Sequence, residues 1–231
     1  MSCGQVLTTK ASFGTRIQHL TQKDCMSVML DNKVVPIVNE NDTISVTELM
    51  FTDNDELSGL LATMMQAEAL IILSNIDGIY DGDPNLPESK VITEIAPKRN
   101  LSKYIQTGKS SFGRGGMLTK CNIARKVAEE GITVMIANGK RDGILLDLID
   151  KESQIKHTTF IANEREASGV KKWIAHSESF AKGRVIINQG AAEALLSDKA
   201  HSLLFIGITS IEGSFEKGDI VKITTQDGTE L

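Results

Sequence analysis

Two apolar runs, Glu68–Leu73 (EALIIL) and Ile132–Ala137 (ITVMIA), constrain the fold of this chain more than any other feature. Each reads as a strand of the kind buried on both faces of a parallel sheet. Each also follows a helical pattern. The first pattern, Asp55–Met65, opens on acidic residues, which suit the positive N-terminal end of a helix. The second, Gly116–Glu130, stops at Gly131 in a C-cap-like position. Upstream, Gln5–Leu7 is a strand stub and Thr15–Leu30 has rough helical periodicity. Lys33–Val38 (KVVPIV) reads as a strand that Pro36 pushes to an irregular or peripheral position. Gly143–Ile149 is a short apolar helix. This alternation predicts an α/β domain built on an open, mainly parallel sheet.

The character changes after about residue 155. Phe160–Ser168 holds charged and small residues and reads as a connection. Beyond it come short strand candidates at Arg184–Ile187, Gly207–Ile211 and Asp219–Thr224, with turns expected at Gly183, Gly190, Gly207, Gly213, Gly218 and Gly228. The expected organisation is a first domain over 1–160, a linker over 161–182 and a small, incomplete β-rich domain over 183–231.

Bulk properties exclude several classes. Hydrophobic residues make up 41% and charged residues 24%, which fits a globular chain with a buried core. No apolar run approaches the roughly 20 residues of a membrane helix. The N-terminus lacks the basic start and apolar stretch of a signal peptide. Cys3, Cys25 and Cys121 are scattered, fit no metal-ligand spacing or disulfide framework, and read as free thiols in a reducing, cytoplasmic setting. The net charge of −5 argues against broad nucleic-acid binding.

Three loops carry the chemistry. Asn39-Glu40-Asn41-Asp42 follows the Lys33–Val38 strand, and Asp53-Asn54-Asp55 precedes the next helix. Such amides and carboxylates suit an ammonium or carboxylate substrate, Mg²⁺, or a lysine that touches phosphate. They also suit Asx-turns and an N-cap at Thr52 or Asp53. The second loop, Ser74-Asn75-Ile76-Asp77-Gly78, follows EALIIL and can wall a nucleotide pocket or serve as a surface turn. The third is Gly113-Arg114-Gly115-Gly116-Met117-Leu118-Thr119-Lys120. Its glycines permit close approach of backbone N–H groups to phosphate, and the helix that begins near Gly116 aims its free N–H groups at an anion. Lys120 stands in the first turn of that helix, where the helix dipole opposes a cation; a phosphate would offset the cost. The spacing is not that of a Walker A loop. Lys120 is the candidate stabiliser of a transferring phosphoryl group. His19, His157, His176 and His201 are isolated and read as structural or solvated.

These loops, in this order, resemble the amino acid kinase superfamily and, within it, the glutamate 5-kinases. The matching stretches are Val35–Ala62, Ala69–Pro84 and Gly113–Ile132, while Gly183–Ile223 resembles the start of a PUA domain. The resemblance implies an incomplete three-layer amino acid kinase fold followed by a PUA-like domain. It implies ATP as phosphoryl donor, accompanied by Mg²⁺, and the side-chain carboxylate of L-glutamate as acceptor, in the first step of proline biosynthesis. By motif match, Asn41, Asp42 and Asn54 would bind glutamate. Ser74 and Asn75 would line the nucleotide site, where many relatives have Thr-Asp. Arg114, Gly115, Gly116, Met117, Leu118, Thr119 and Lys120 would wrap the phosphates. Lys120 would stabilise the transferring group, and Asp53 and Asp55 would orient catalytic lysines or Mg²⁺. Arg114 departs from the small residue usual at its position. A homo-oligomer and no membrane association are also expected.

Nothing before Val34 matches the strand, glycine loop and second lysine with which the family begins. Roughly the first hundred residues of a typical member are therefore expected to be missing, and this chain by itself is expected to be inactive or weak. The competing readings are another acylphosphate-forming kinase, such as one acting on acetylglutamate, and an RNA-binding or regulatory role for the PUA-like segment. In that segment and its approach Lys171, Lys172, Lys182, Arg184 and Lys199 are interspersed with Glu178, Glu193, Asp198, Glu212, Glu216 and Asp219, which is no basic stripe.

Overall fold

The computed structural model describes residues 1–44, 54–97, 116–150, 152–163, 181–197 and 201–231. The chain divides into two units, Met1–Leu49 with Trp173–Leu231, and Met50–Lys172.

The first unit opens with β1 (Ser2–Thr8), α1 (Arg16–Asp31) and β2 (Val34–Glu40). The two strands pair in parallel from Ser2↔Val34 to Thr8↔Glu40. Thr15 caps α1, its hydroxyl accepting from the Gln18 N–H at 3.3 Å. The parallel ladder runs further than the apolar residues do, so Asn39 and Glu40 belong to β2 and not to the loop after it.

The second unit holds α2 (Asn54–Met65), β3 (Ala69–Ser74), β4 (Glu94–Ile95), α3 (Met117–Glu129), β5 (Thr133–Asn138), α4 (Ile144–Ile149) and β6 (Thr158–Phe160). Its sheet order is β3-β5-β6-β4. β3 and β5 are parallel, β4 and β6 are parallel, and β5 and β6 are antiparallel. Period-2 alternation splits the core into layers. Ile72, Val134 and Ile136 pack with Ala62 of α2 and with Cys121, Ala124 and Val127 of α3. Ile71, Met135 and Ala137 pack with Ile144 and Leu148 of α4. Helices thus cover both faces of β5, and Val134, Ile136 and Ala137 are wholly buried. β3 is not buried on both faces as its apolar run predicts. It stands at the edge of this sheet among the described residues, and Leu73 is 46% exposed.

The rest of the first unit comprises β7 (Gly183–Ile187), α5 (Gln189–Leu196), β8 (Ile208–Gly213) and β9 (Val221–Thr225). β7 is central, antiparallel to β8 and parallel to β9. Val185, Ile187 and Ala192 form the core. Three of the six glycines expected in turns are elsewhere. Gly183 lies in β7, Gly190 in α5, and Gly207 at the end of a 3₁₀ helix over Phe205–Gly207. A Cβ on Gly183 would lie 2.5 Å from the Glu212 carbonyl, and one on Gly207 would lie 2.7 Å from Ala191 Cβ. These two glycines permit close packing. Gly213, Gly218 and Gly228 do have positive φ.

Candidate functional site at the carboxyl edge of β3 and β5

The connections from α2 to β3 and from α3 to β5 are three residues each. So short a link forces each helix to pack back antiparallel to the strand it feeds. The reversals use Gln66 (φ 54°) and Gly131 (φ 87°), both in the left-handed region favoured after a helix. The N-termini of α2 and α3 therefore share one edge of the unit with the carboxyl ends of β3 and β5, which are in register at Ser74↔Asn138. That edge is where open parallel sheets collect ligands.

Asp55, in the first turn of α2, meets Lys120, in the first turn of α3. The Lys120 Nζ donates to Asp55 Oδ2 at 2.5 Å, and the two side chains are 18% and 14% exposed. Packing between the helices sets this distance. A Cβ on Gly59 would come within 2.8 Å of Ile123 Cγ2 and 3.1 Å of Val127 Cγ2. Gly59 is one turn along from Asp55, and Ile123 is one turn along from Lys120, so the close approach carries over to the ion pair. No side chain caps α3 at Gly116, which is extended at φ −68° and ψ 170°. The leading N–H groups of Met117 and Leu118 thus begin a helix whose partial positive charge faces the edge. Behind them, Cys121 is buried and its thiol is pushed up to about 12 by burial, which makes it core and not nucleophile.

A second polar cluster joins the loops after β3 and β5. Asp77 accepts from Asn138 Nδ2 at 2.9 Å, from Arg141 Nε at 3.1 Å and from Arg141 NH2 at 2.8 Å. Burial raises the Asp77 pKa, but the hydrogen bonds from Arg141 and Asn138 and the Arg141 charge outweigh it and leave the carboxyl below its ordinary value. Gly139 N–H donates to the Ser74 carbonyl at 2.8 Å across the same gap. Thr158, fully buried, ties down the following turn: its hydroxyl accepts from the Ile79 N–H at 2.8 Å and donates to the Ile92 carbonyl at 2.7 Å.

Of the other candidate residues, Ser74 donates to Asn75 Oδ1 at 3.4 Å at the end of β3. Asn54 is exposed at the start of α2, and Thr119 lies beside Lys120. Asn41 and Asp42 belong to the first unit, where Asn41 N–H donates to the Thr8 carbonyl at 2.7 Å and its Oδ1 accepts from Thr43 at 2.6 Å. Asp53, Arg114 and Gly115 lie outside the described residues. Asn138 and Arg141 escaped the sequence reading. The signal available was the Asn138-Gly139-Lys140-Arg141 turn, which directly follows the ITVMIA strand. Among the described residues no group of three or more His, Cys, Asp or Glu side chains converges to hold a metal ion.

The model of the amino acid kinase family matches residues 1–138, and that of the PUA domain matches residues 183–231. The chain is 66% identical over 231 residues to the glutamate 5-kinase of Bacteroides thetaiotaomicron, covering 100% of this chain and 64% of that protein. It is 53% identical over 230 residues to the glutamate 5-kinase of Chlorobaculum tepidum, covering 97% of this chain and 61% of that protein. The glutamate 5-kinase of Idiomarina loihiensis is 36% identical over 231 residues, with 99% of this chain and 61% of that protein covered. The chain thus spans less than two thirds of the length of these curated relatives.

Proposed function

Because the chain belongs to the amino acid kinase family, we propose that it is the nucleotide-binding part of an enzyme that phosphorylates the side-chain carboxylate of L-glutamate. The γ-phosphoryl of ATP passes to a carboxylate oxygen, ADP leaves, and L-glutamyl 5-phosphate enters proline biosynthesis. The acceptor is taken from the three relatives named above, each of which carries the name glutamate 5-kinase.

The observation that carries the reading is the Lys120–Asp55 pair at the N-terminal ends of two packed helices. Phosphoryl transfer asks the protein for positioning and for positive charge aimed at the transferring oxygens. Lys120 supplies the charge, and Asp55 holds its ammonium at the edge. Gly116, Met117, Leu118 and Thr119 present the start of α3 to the phosphates, joined by Arg114 and Gly115. Ser74 and Asn75 line the nucleoside side. Asn54 is assigned to the amino acid, and Asp53 shares the orienting work of Asp55. Mg²⁺ arrives on the nucleotide, held mainly by phosphate oxygens as this ion usually is. The kinase domain occupies 1–160 and the PUA-like domain 183–231, in a cytoplasmic homo-oligomer whose three cysteines are free thiols.

Calorimetric titration of ATP–Mg²⁺ into the chain and into Lys120→Ala tests the reading. Removing the charge is expected to weaken nucleotide binding about tenfold or more, the scale of one charge-assisted contact. Equal affinities, or no binding by the parent chain, would overturn it.

A further inference from the structure

The carboxyl edge of the second unit is built at two places, and Lys120 with Asp55 accounts for only one. At this edge α3 begins on one face of the sheet, while the chain leaving β5 crosses to α4 on the other face. A ligand anchored by its anionic end at α3 therefore extends over the ends of β3 and β5, toward the loops 75–77 and 139–141.

Those two loops are joined. The Asp77 carboxylate takes three donors from Asn138 and Arg141, and the Gly139 N–H bridges to the Ser74 carbonyl. Two guanidinium donors are committed in a fork, which fixes the plane of the group more firmly than a single contact would. The Arg141 side chain nonetheless remains 41% exposed. An ion pair this open adds little to stability. Its geometry matters for preorganisation: the fork holds both loops in place before a ligand arrives.

We propose that the Asp77–Arg141 clasp, braced by Asn138, positions the wall that receives the nucleoside end of the bound nucleotide. The inference rests on the nucleotide-binding reading above and extends it to residues outside the phosphate site. Arg141 and Asp77 are positioning residues: they shape the Ser74–Asn75 and Gly139–Lys140 turns and do not touch the transferring phosphoryl group.

Two probes separate the clasp from the phosphate site: ATP–Mg²⁺ and inorganic tripolyphosphate with Mg²⁺, titrated into the parent chain, Arg141→Ala, Asp77→Asn and Lys120→Ala. Losing the clasp is expected to weaken ATP about tenfold and to leave tripolyphosphate unchanged, whereas Lys120→Ala weakens both. Thermal melts of Arg141→Ala and Asp77→Asn that match the parent would support a local effect. Unchanged ATP affinity in Arg141→Ala would sink the clasp assignment, and so would equal weakening of both probes. A parent chain that binds tripolyphosphate as tightly as ATP would also sink it, since no nucleoside wall would then contribute. A parent that binds neither probe overturns the functional reading, and the clasp with it.

Discussion

His19 lies on the buried side of α1, 5% exposed. Burial pushes its pKa down to about 4, and the charges of Arg16 and Lys23 add to the effect. The ring is neutral in the folded unit, while in the unfolded chain it takes up a proton near the ordinary value of 6.5. The folded pKa is the lower one, so acid favours the unfolded state. Stability is full above pH 6.5 and declines as pH falls toward 4, by at most about 3 kcal/mol. Asp77 does not compete in this window, because its depressed pKa moves its own loss below the ordinary aspartate range. Urea unfolding of His19→Gln at pH 7.5, 6 and 5 is therefore expected to show a flatter acid limb than the parent. Parallel pH profiles would mean that other groups set the limb.

Gly59 is a helix-interior glycine, which by propensity alone costs about 1 kcal/mol relative to alanine. The contact with Ile123 and Val127 explains it, since any side chain there separates α2 from α3. Gly59→Val is expected to destabilise the second unit by about 1–3 kcal/mol, seen in denaturant melts, and to weaken ATP–Mg²⁺ binding by parting Lys120 from Asp55. A valine variant as stable as the parent would show that the helices slide apart freely. This pair also marks how far the sequence could be read. The helices α2 and α3 and the strands β3 and β5 were legible because their periodicity is long and strong. β4 and β6 were not: at two and three residues they are too short to carry a period. α5 was hidden by Gly190, a residue type that signals a turn and here lies inside a helix. Lys120 stood out because it violates the dipole preference. Which carboxylate would meet it is a matter of helix packing, which Gly59 decides. The clasp was invisible for another reason: Asp77 and Arg141 are 64 residues apart and meet only through the register of β3 with β5.

At the scale of the molecule, charge decides whether the PUA-like segment could bind RNA through its basic residues. The net charge is −5, so any nucleic-acid site must be local. Within the segment and its approach, Lys182 pairs with Asp219 at 2.9 Å, Arg184 with Glu212 at 3.5 Å, and Lys222 with Glu230 at 2.8 Å. Phosphate contacts would have to displace these carboxylates, which would remain nearby and repel the backbone. In a gel shift against structured RNA at physiological salt, the chain is therefore expected to give no salt-sensitive complex. Neutralising the three carboxylates together, as Glu212→Gln, Asp219→Asn and Glu230→Gln, unmasks the basic groups. That variant is expected to retain RNA, with log K falling against log salt by roughly 0.7–0.9 per phosphate contacted. A steep salt slope in the parent chain would show instead that the ion pairs open readily and that the segment has a nucleic-acid partner. No retention even by the neutralised variant would mean that these three cations do not converge on one backbone path.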